Sequence, residues 1–232
     1  MVNPGQAAFQ EARPEDLLGT LNDVEKKNAP KVLFVAGDLE LLRSGRRVSV
    51  VGTREPSPEG FDRARAISAA LVRRGITVVS GLAKGVDTAA HTTAMDLGGR
   101  TIAVLGTPLD VAYPAENREL QARIMRGHLV VSQFPSGMRG GAKAFPIRNR
   151  TMALLSDATI IVEAGEGSGT LHQGWEALRL GRPLLLMESL VKRTDLKWPA
   201  EMLRFGAEVL SRENLEEALD EVPGRMRSEL AF

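Results

Sequence analysis

Thr77-Val78-Val79-Ser80-Gly81-Leu82-Ala83-Lys84-Gly85-Val86-Asp87 is the stretch on which the fold turns. A short β-branched run ends in a glycine loop, and the loop opens a segment carrying Asp87 and His91 at helical spacing. An unbroken apolar run closed by glycine reads as a strand buried on both faces. The same order recurs along the chain, with strands at Val48 to Val51, Thr101 to Leu105, Leu129 to Ser132, Ala158 to Glu163 and Pro183 to Met187. Between them, Phe61, Ala64, Ile67 and Leu71, and later Leu171, Trp175 and Leu178, repeat every three or four residues and mark core-facing helix stripes. Strand and helix alternate, so an α/β fold with a mainly parallel sheet and helices on both faces is predicted. Right-handed crossovers then bring the strand ends and their loops to one rim, where open sheets of this kind bind ligands.

That rim is rich in glycine. Its loops carry Gly52, Thr53 and Arg54 before Ser57 and Pro58; Ser80, Gly81, Lys84 and Gly85; Gly106 and Thr107; and Gly165, Gly167, Ser168, Gly169 and Thr170. Each glycine alone is explained by a tight strand-to-helix turn. Together, Gly52, Thr53, Ser80, Gly81, Gly106, Ser168, Gly169 and Thr170 are candidates to present backbone donors and helix starts to an anion. Neither a Walker A motif nor GxGxxG follows a suitable strand, so ATP and NAD are not assigned. A separate stretch, Gly140-Gly141-Ala142-Lys143-Ala144-Phe145-Pro146-Ile147-Arg148-Asn149-Arg150, supplies two guanidinium groups and an aromatic face next to a flexible loop. It suits a phosphate backbone with exposed bases, Phe145 stacking and Arg148 and Arg150 holding charge. It also reads as a glycine turn leading into a surface helix, with Phe145 in the core.

Composition bounds these readings. The chain has 232 residues, 43% of them hydrophobic, enough for one substantial core. Thirty basic residues against 29 acidic ones, net +1, give no global signature of a nucleic-acid binder, so any such site is local. From Arg139 to Arg150 all ionisable side chains are basic, whereas Glu213 to Glu221 is mostly acidic. Without cysteine there is no disulfide or thiolate chemistry, and His91, His128 and His172 lack metal-ligand spacing, so neither metal nor cofactor is expected. The expectation is a cytoplasmic protein with no secretory signal and no membrane span, which would require roughly 20 apolar residues. Residues 1–30 read as an N-terminal extension with a short helix from Pro14 to Lys27, 31–222 as the core domain with an apolar strand at Val32 to Val35, and 223–232 as a C-terminal tail.

The ordered motifs resemble the DprA/Smf family of bacterial DNA-processing proteins. The resemblance rests on Gly37-Asp38-Leu39, Val50 to Arg54 with Pro56-Ser57, and Thr77 to Asp87 with Ala90-His91. It continues through Gly99 to Gly106, Tyr113-Pro114, Glu116-Asn117-Arg118, Phe145 to Arg150 and Ser168 to Leu171. It implies an extended Rossmann-like fold, single-stranded DNA in the rim pocket and, at the level of the whole protein, RecA loading and a homodimer. By motif position it assigns DNA binding to Arg54, Lys84, Phe145, Arg148 and Arg150, with Lys143 from the more variable preceding loop. The chain departs from the family pattern at Thr53, where serine is usual, and at His172-Gln173-Gly174 in place of Thr-Ala.

Two other functions use a similar rim. Gly167-Ser168-Gly169-Thr170 partly resembles the signature of LOG-type enzymes, which cleave the N-glycosidic bond of nucleoside monophosphates. Their catalytic glutamate falls on Gln173, and an amide cannot act as that carboxylate, which leaves Glu163 or Glu166 to substitute for it. A nucleotide-signal sensor would bind through the same anion rim. Asp87 and His91 are expected to be structural, and no catalytic residue is assigned.

Overall fold

The computed structural model describes residues 9–138 and 141–224, so Arg139 and Gly140 of the basic stretch and most of the C-terminal tail lie outside the described residues. Its strands are β1 (Gln10–Ala12), β2 (Leu33–Gly37), β3 (Arg47–Gly52), β4 (Thr77–Ser80), β5 (Thr101–Leu105), β6 (Leu129–Ser132), β7 (Ala158–Glu163), β8 (Leu184–Met187) and β9 (Glu208–Leu210). The helices are α1 (Pro14–Leu18), α2 (Asp23–Lys26), α3 (Glu40–Arg43), α4 (Pro58–Arg73), α5 (Val86–Asp96), α6 (Arg118–Gly127), α7 (Ala144–Leu155), α8 (Thr170–Arg179), α9 (Glu188–Val191), α10 (Trp198–Arg204) and α11 (Leu215–Asp220).

One nine-stranded sheet runs in the order β1-β2-β6-β5-β4-β3-β7-β8-β9. From β6 through β9 the pairing is parallel, and β1 and β2 close one edge antiparallel. Every residue of β4, β5 and β6 is buried, as their continuous apolar runs predict. Alternate side chains divide between two faces. Val48, Val50 and Val78 meet Ala64, Ile67 and Leu71 of α4 and Ala90 of α5, whereas Val51, Val79 and Val104 share the opposite core with Met152 and Leu155 of α7.

The two edge strands β1 and β9 have no counterpart in the sequence reading. Each is three residues long and only partly buried, and sheet pairing rather than an apolar run defines them. Gln10, Glu11 and Ala12 pair with Val35, Phe34 and Leu33, so the segment read as an extension adds a strand to the sheet. The single short helix anticipated from Pro14 to Lys27 is two helices, broken at Gly19, whose φ is +76°.

The strand order positions the site. From β3 the chain steps outward through β4 and β5 to β6, then returns to place β7 on the other side of β3 and continues to β8 and β9. The direction reverses between β3 and β7, and such a switch point leaves a crevice beyond the strand ends. A register shift between Val51 and Gly52 loosens the β3–β7 pairing there, just before the turn that carries Arg54.

Candidate nucleic-acid interface

Two bays open along this rim. The first, about 410 Å³, lies over the ends of β3 and β7 and is bordered by Gly52, Asn149, Gly169, Thr170 and Gln173. The second, about 490 Å³, lies toward the ends of β4 and β5 and is bordered by Gly81, Lys84, Gly106, Tyr113 and Glu116. Arg54, Phe145 and Arg148 border both. The four glycine loops therefore converge, as their sequence positions suggested, on two adjoining spaces.

The start of α7 is wedged into this convergence. Pro146 sits in the first helical turn, where its missing N–H costs no intrahelical bond. A Cβ on Gly106 would stand 2.7 Å from the Phe145 ring, and one on Gly81 would stand 2.0 Å from the Arg148 guanidinium. A Cβ on Gly85 would meet the Thr53 carbonyl at 2.5 Å. These glycines thus make room for protein rather than for ligand.

Arg148 departs from the expected phosphate contact. It is 6% exposed, donates to the carbonyls of Gly81 and Val104, and gives its Nε–H to Asn149 Oδ1 at 2.9 Å. Burial lowers its pKa, with the Asp87 charge opposing that shift. Burial raises the pKa of Asp87, against the pull of Arg148 and of the Ala83 N–H, which donates to Asp87 Oδ2 at 3.2 Å. The guanidinium clasps two strand ends and leaves most of its donors spent.

Arg54 is the opposite case. It is exposed, makes no ion pair among the described residues, and holds its guanidinium carbon 5.3 Å from the Phe145 centroid. Phe145 is half-buried, with Arg148 5.9 Å from its centroid and the Tyr113 ring at 5.3 Å. Lys84 is exposed and reaches the second bay, where it pairs with Glu116 at 2.6 Å, and that contact lowers the Glu116 pKa. Lys143 and Arg150 are exposed at and near the start of α7 but border neither bay.

Among the anticipated anion-binding positions, Gly52, Thr53, Ser168, Gly169 and Thr170 border the first bay and Gly81 and Gly106 the second. Ser80 borders neither: it is fully buried and its hydroxyl donates to the Val50 carbonyl at 2.7 Å, tying neighbouring strands. Several expected donors are spent internally. Thr53 N–H donates to the Glu163 carbonyl at 2.7 Å, and the Thr170 hydroxyl to the Gly52 carbonyl at 3.1 Å.

The acid–base candidates are structural. His91 has no exposure, its Nδ1 lies 2.7 Å from the Thr101 hydroxyl, and that hydroxyl donates to the Val78 carbonyl. Burial, with His128 and Arg148 adding to it, pushes the His91 pKa down to about 3, so the ring is neutral. Gln173 is fully buried; oriented to satisfy both ends of its amide, it donates to the Asn149 carbonyl at 2.6 Å and accepts from the Ala153 N–H at 3.3 Å. The side chain stitches α8 to α7, and a carboxylate here would face that carbonyl. Glu163 accepts from the Ser57 N–H, the Ser57 hydroxyl and Arg63 at 2.7–3.0 Å. Neither Gln173 nor Glu163 is placed as a free catalytic carboxylate. No cluster of side chains suited to a metal occurs among the described residues.

Tyr113 is the site residue to which sequence reasoning gave no role. It lies 32 residues before Phe145, far beyond any local period, and only the folded loop brings the rings together. The available signal was its identity as the sole tyrosine of the chain, in a loop after a strand.

Comparison with known proteins shows the family and the fold. The family described as DNA recombination-mediator protein A matches residues 12–223. A protein Smf from Synechocystis is 38% identical over 193 residues, which is 82% of this chain and 48% of the relative. The solved DNA processing protein A of Streptococcus pneumoniae superposes with a TM-score of 0.79 at 33% identity, over 93% of this chain and 75% of that one. That of Helicobacter pylori, whose structure concerns its single-stranded DNA binding mode, superposes at 0.77 with 25% identity, over 93% and 96%. The chain spans about half to two thirds of the length of the first curated relatives it matches.

Proposed function

Because the chain belongs to the DNA recombination-mediator protein A family, we propose that its rim binds single-stranded DNA and performs no chemistry on it. The observation that carries this reading is Arg54: an exposed guanidinium that makes no ion pair among the described residues, set on an aromatic ring at the divide between two bays. Arg54 and Lys84 take backbone phosphates, Phe145 offers ring surface to a base, and Lys143 and Arg150 extend positive charge beyond the bays. Arg148 acts through Phe145, by fixing the start of α7. At the level of the whole protein, the family resemblance supports a homodimer that holds the strand for RecA in the cytoplasm. Among the described residues no helix is long and apolar enough to cross a membrane.

Gln173 is an amide held between helices, Glu163 is engaged by Ser57 and Arg63, and Glu166 borders neither bay, which argues against a LOG-type hydrolase. Titration of labelled oligo-dT by fluorescence anisotropy at two salt concentrations tests the proposal. Affinity that falls with salt, with a slope of about −0.7 per neutralised phosphate, is expected. Absence of binding at low salt for every length tried overturns it.

A further inference from the structure

Tyr113 stands on the loop after β5, 47% exposed, with its ring centroid 5.3 Å from Phe145 and the planes tilted by 41°. It borders the second bay beside Ala112, Pro114 and Ala115, which give that space an apolar wall. Lys84 also borders this bay, paired with Glu116 at 2.6 Å. The first bay differs in chemistry: Asn149, Ser168 and Thr170 border it with an amide and two hydroxyls, the Asn149 N–H and Thr170 O–H donors being engaged by the Gly169 and Gly52 carbonyls. Each space, at about 410 and about 490 Å³, lies within the ~300–1,000 Å³ range of small-ligand sites. They share one boundary, where Arg54 stands beside Glu55 and makes no ion pair among the described residues.

A polymer with a base on every unit and a charge on every link fits that alternation of bay, cation and bay. Stacking on an aromatic side chain tolerates any base, which suits an apolar wall without directed polar groups. Resting on the single-strand reading above, we propose that Tyr113 forms a second nucleotide subsite. One base occupies the polar bay, its neighbour stacks on Tyr113 in the apolar bay, and the phosphate between them lies at Arg54. The ligand unit is then two consecutive nucleotides, and a mononucleotide fills half of the site.

The 232-residue protein is loaded with a fluorescent oligo-dT dodecamer, which is displaced by 5′-phosphorylated thymidine mono-, di- and trinucleotides. The wild type should show a step of about tenfold or more between mono- and dinucleotide, from the stacking of the second base. Tyr113→Ala should lose that step while keeping the mononucleotide affinity, and Tyr113→Phe should retain it. Circular dichroism and thermal melting confirm that both variants are folded, as expected for a half-exposed loop residue. A step unchanged within twofold in Tyr113→Ala, or no step in the wild type, overturns the second subsite and leaves single-strand binding standing. Failure of the wild type to hold the dodecamer at low salt overturns both readings.

Discussion

The floor of the rim and its lip carry similar side chains in opposite conditions. On the floor, Arg148, Gln173, Asp87 and His91 are buried, and each is hydrogen-bonded to protein atoms, with His91 Nε2 left without a partner among the described residues. On the lip, Arg54, Lys84 and Tyr113 are exposed, and Arg54 has no charged partner among the described residues. Two arginines flank one phenylalanine at 5.3 and 5.9 Å, yet one faces solvent and the other binds two strand ends together. Residue type and proximity to the ring are therefore insufficient to assign a ligand contact. What separates the two is whether the donors are already spent.

The sharpest way to break this division is Arg148→Ala. It would leave the two strand-end carbonyls of Gly81 and Val104 without their buried donor, with an expected loss of about 3 kcal/mol of stability. Urea denaturation measures it. A variant that melts like the wild type but binds DNA poorly would move Arg148 from floor to lip.

A smaller effect on the floor is expected from pH. The folded His91 pKa of about 3 lies below the unfolded value near 6.5, so the unfolded chain binds the extra proton between those values. Stability from this residue is complete above about pH 6.5 and is lost as pH falls, by about 2 kcal/mol at pH 5. Burial of Asp87 works in the opposite sense, so the His91 share is read by comparing the wild type with His91→Gln at pH 7 and pH 5. An identical pH response in the two proteins would contradict the assignment.

On the lip, Arg54→Ala should weaken oligo-dT binding by about tenfold, close to 1.4 kcal/mol, and flatten its salt dependence by about one phosphate. The melting temperature should move by less than about 2 °C, since an exposed side chain is removed. Loss of stability without loss of affinity would invert the comparison.

Much of this architecture was legible before folding. The six buried parallel strands and the strand at Val32 to Val35 announce themselves because burial on both faces demands continuous apolar runs. The convergence of the Gly52, Gly81, Gly106 and Gly169 loops followed from alternation and handedness alone. The roles within the convergence did not follow. Nothing local in Arg148 says that Gly81 and Val104 will take its protons, and nothing in Ser80 says that its hydroxyl will turn into the sheet. β1 and β9 escaped because short edge strands are held by backbone pairing, which has no side-chain period.

By itself, then, the sequence determined the α/β class, the glycine rim and the absence of a carboxylate at Gln173, all properties of local pattern and residue identity. Only the tertiary structure decided which rim arginine has its donors spent, how the crevice extends on both sides of Arg54 and Phe145, and that Tyr113 stands beside Phe145. Those are outcomes of which distant groups meet, and hydrogen-bond capacity is spent by contacts that no spacing along the chain records.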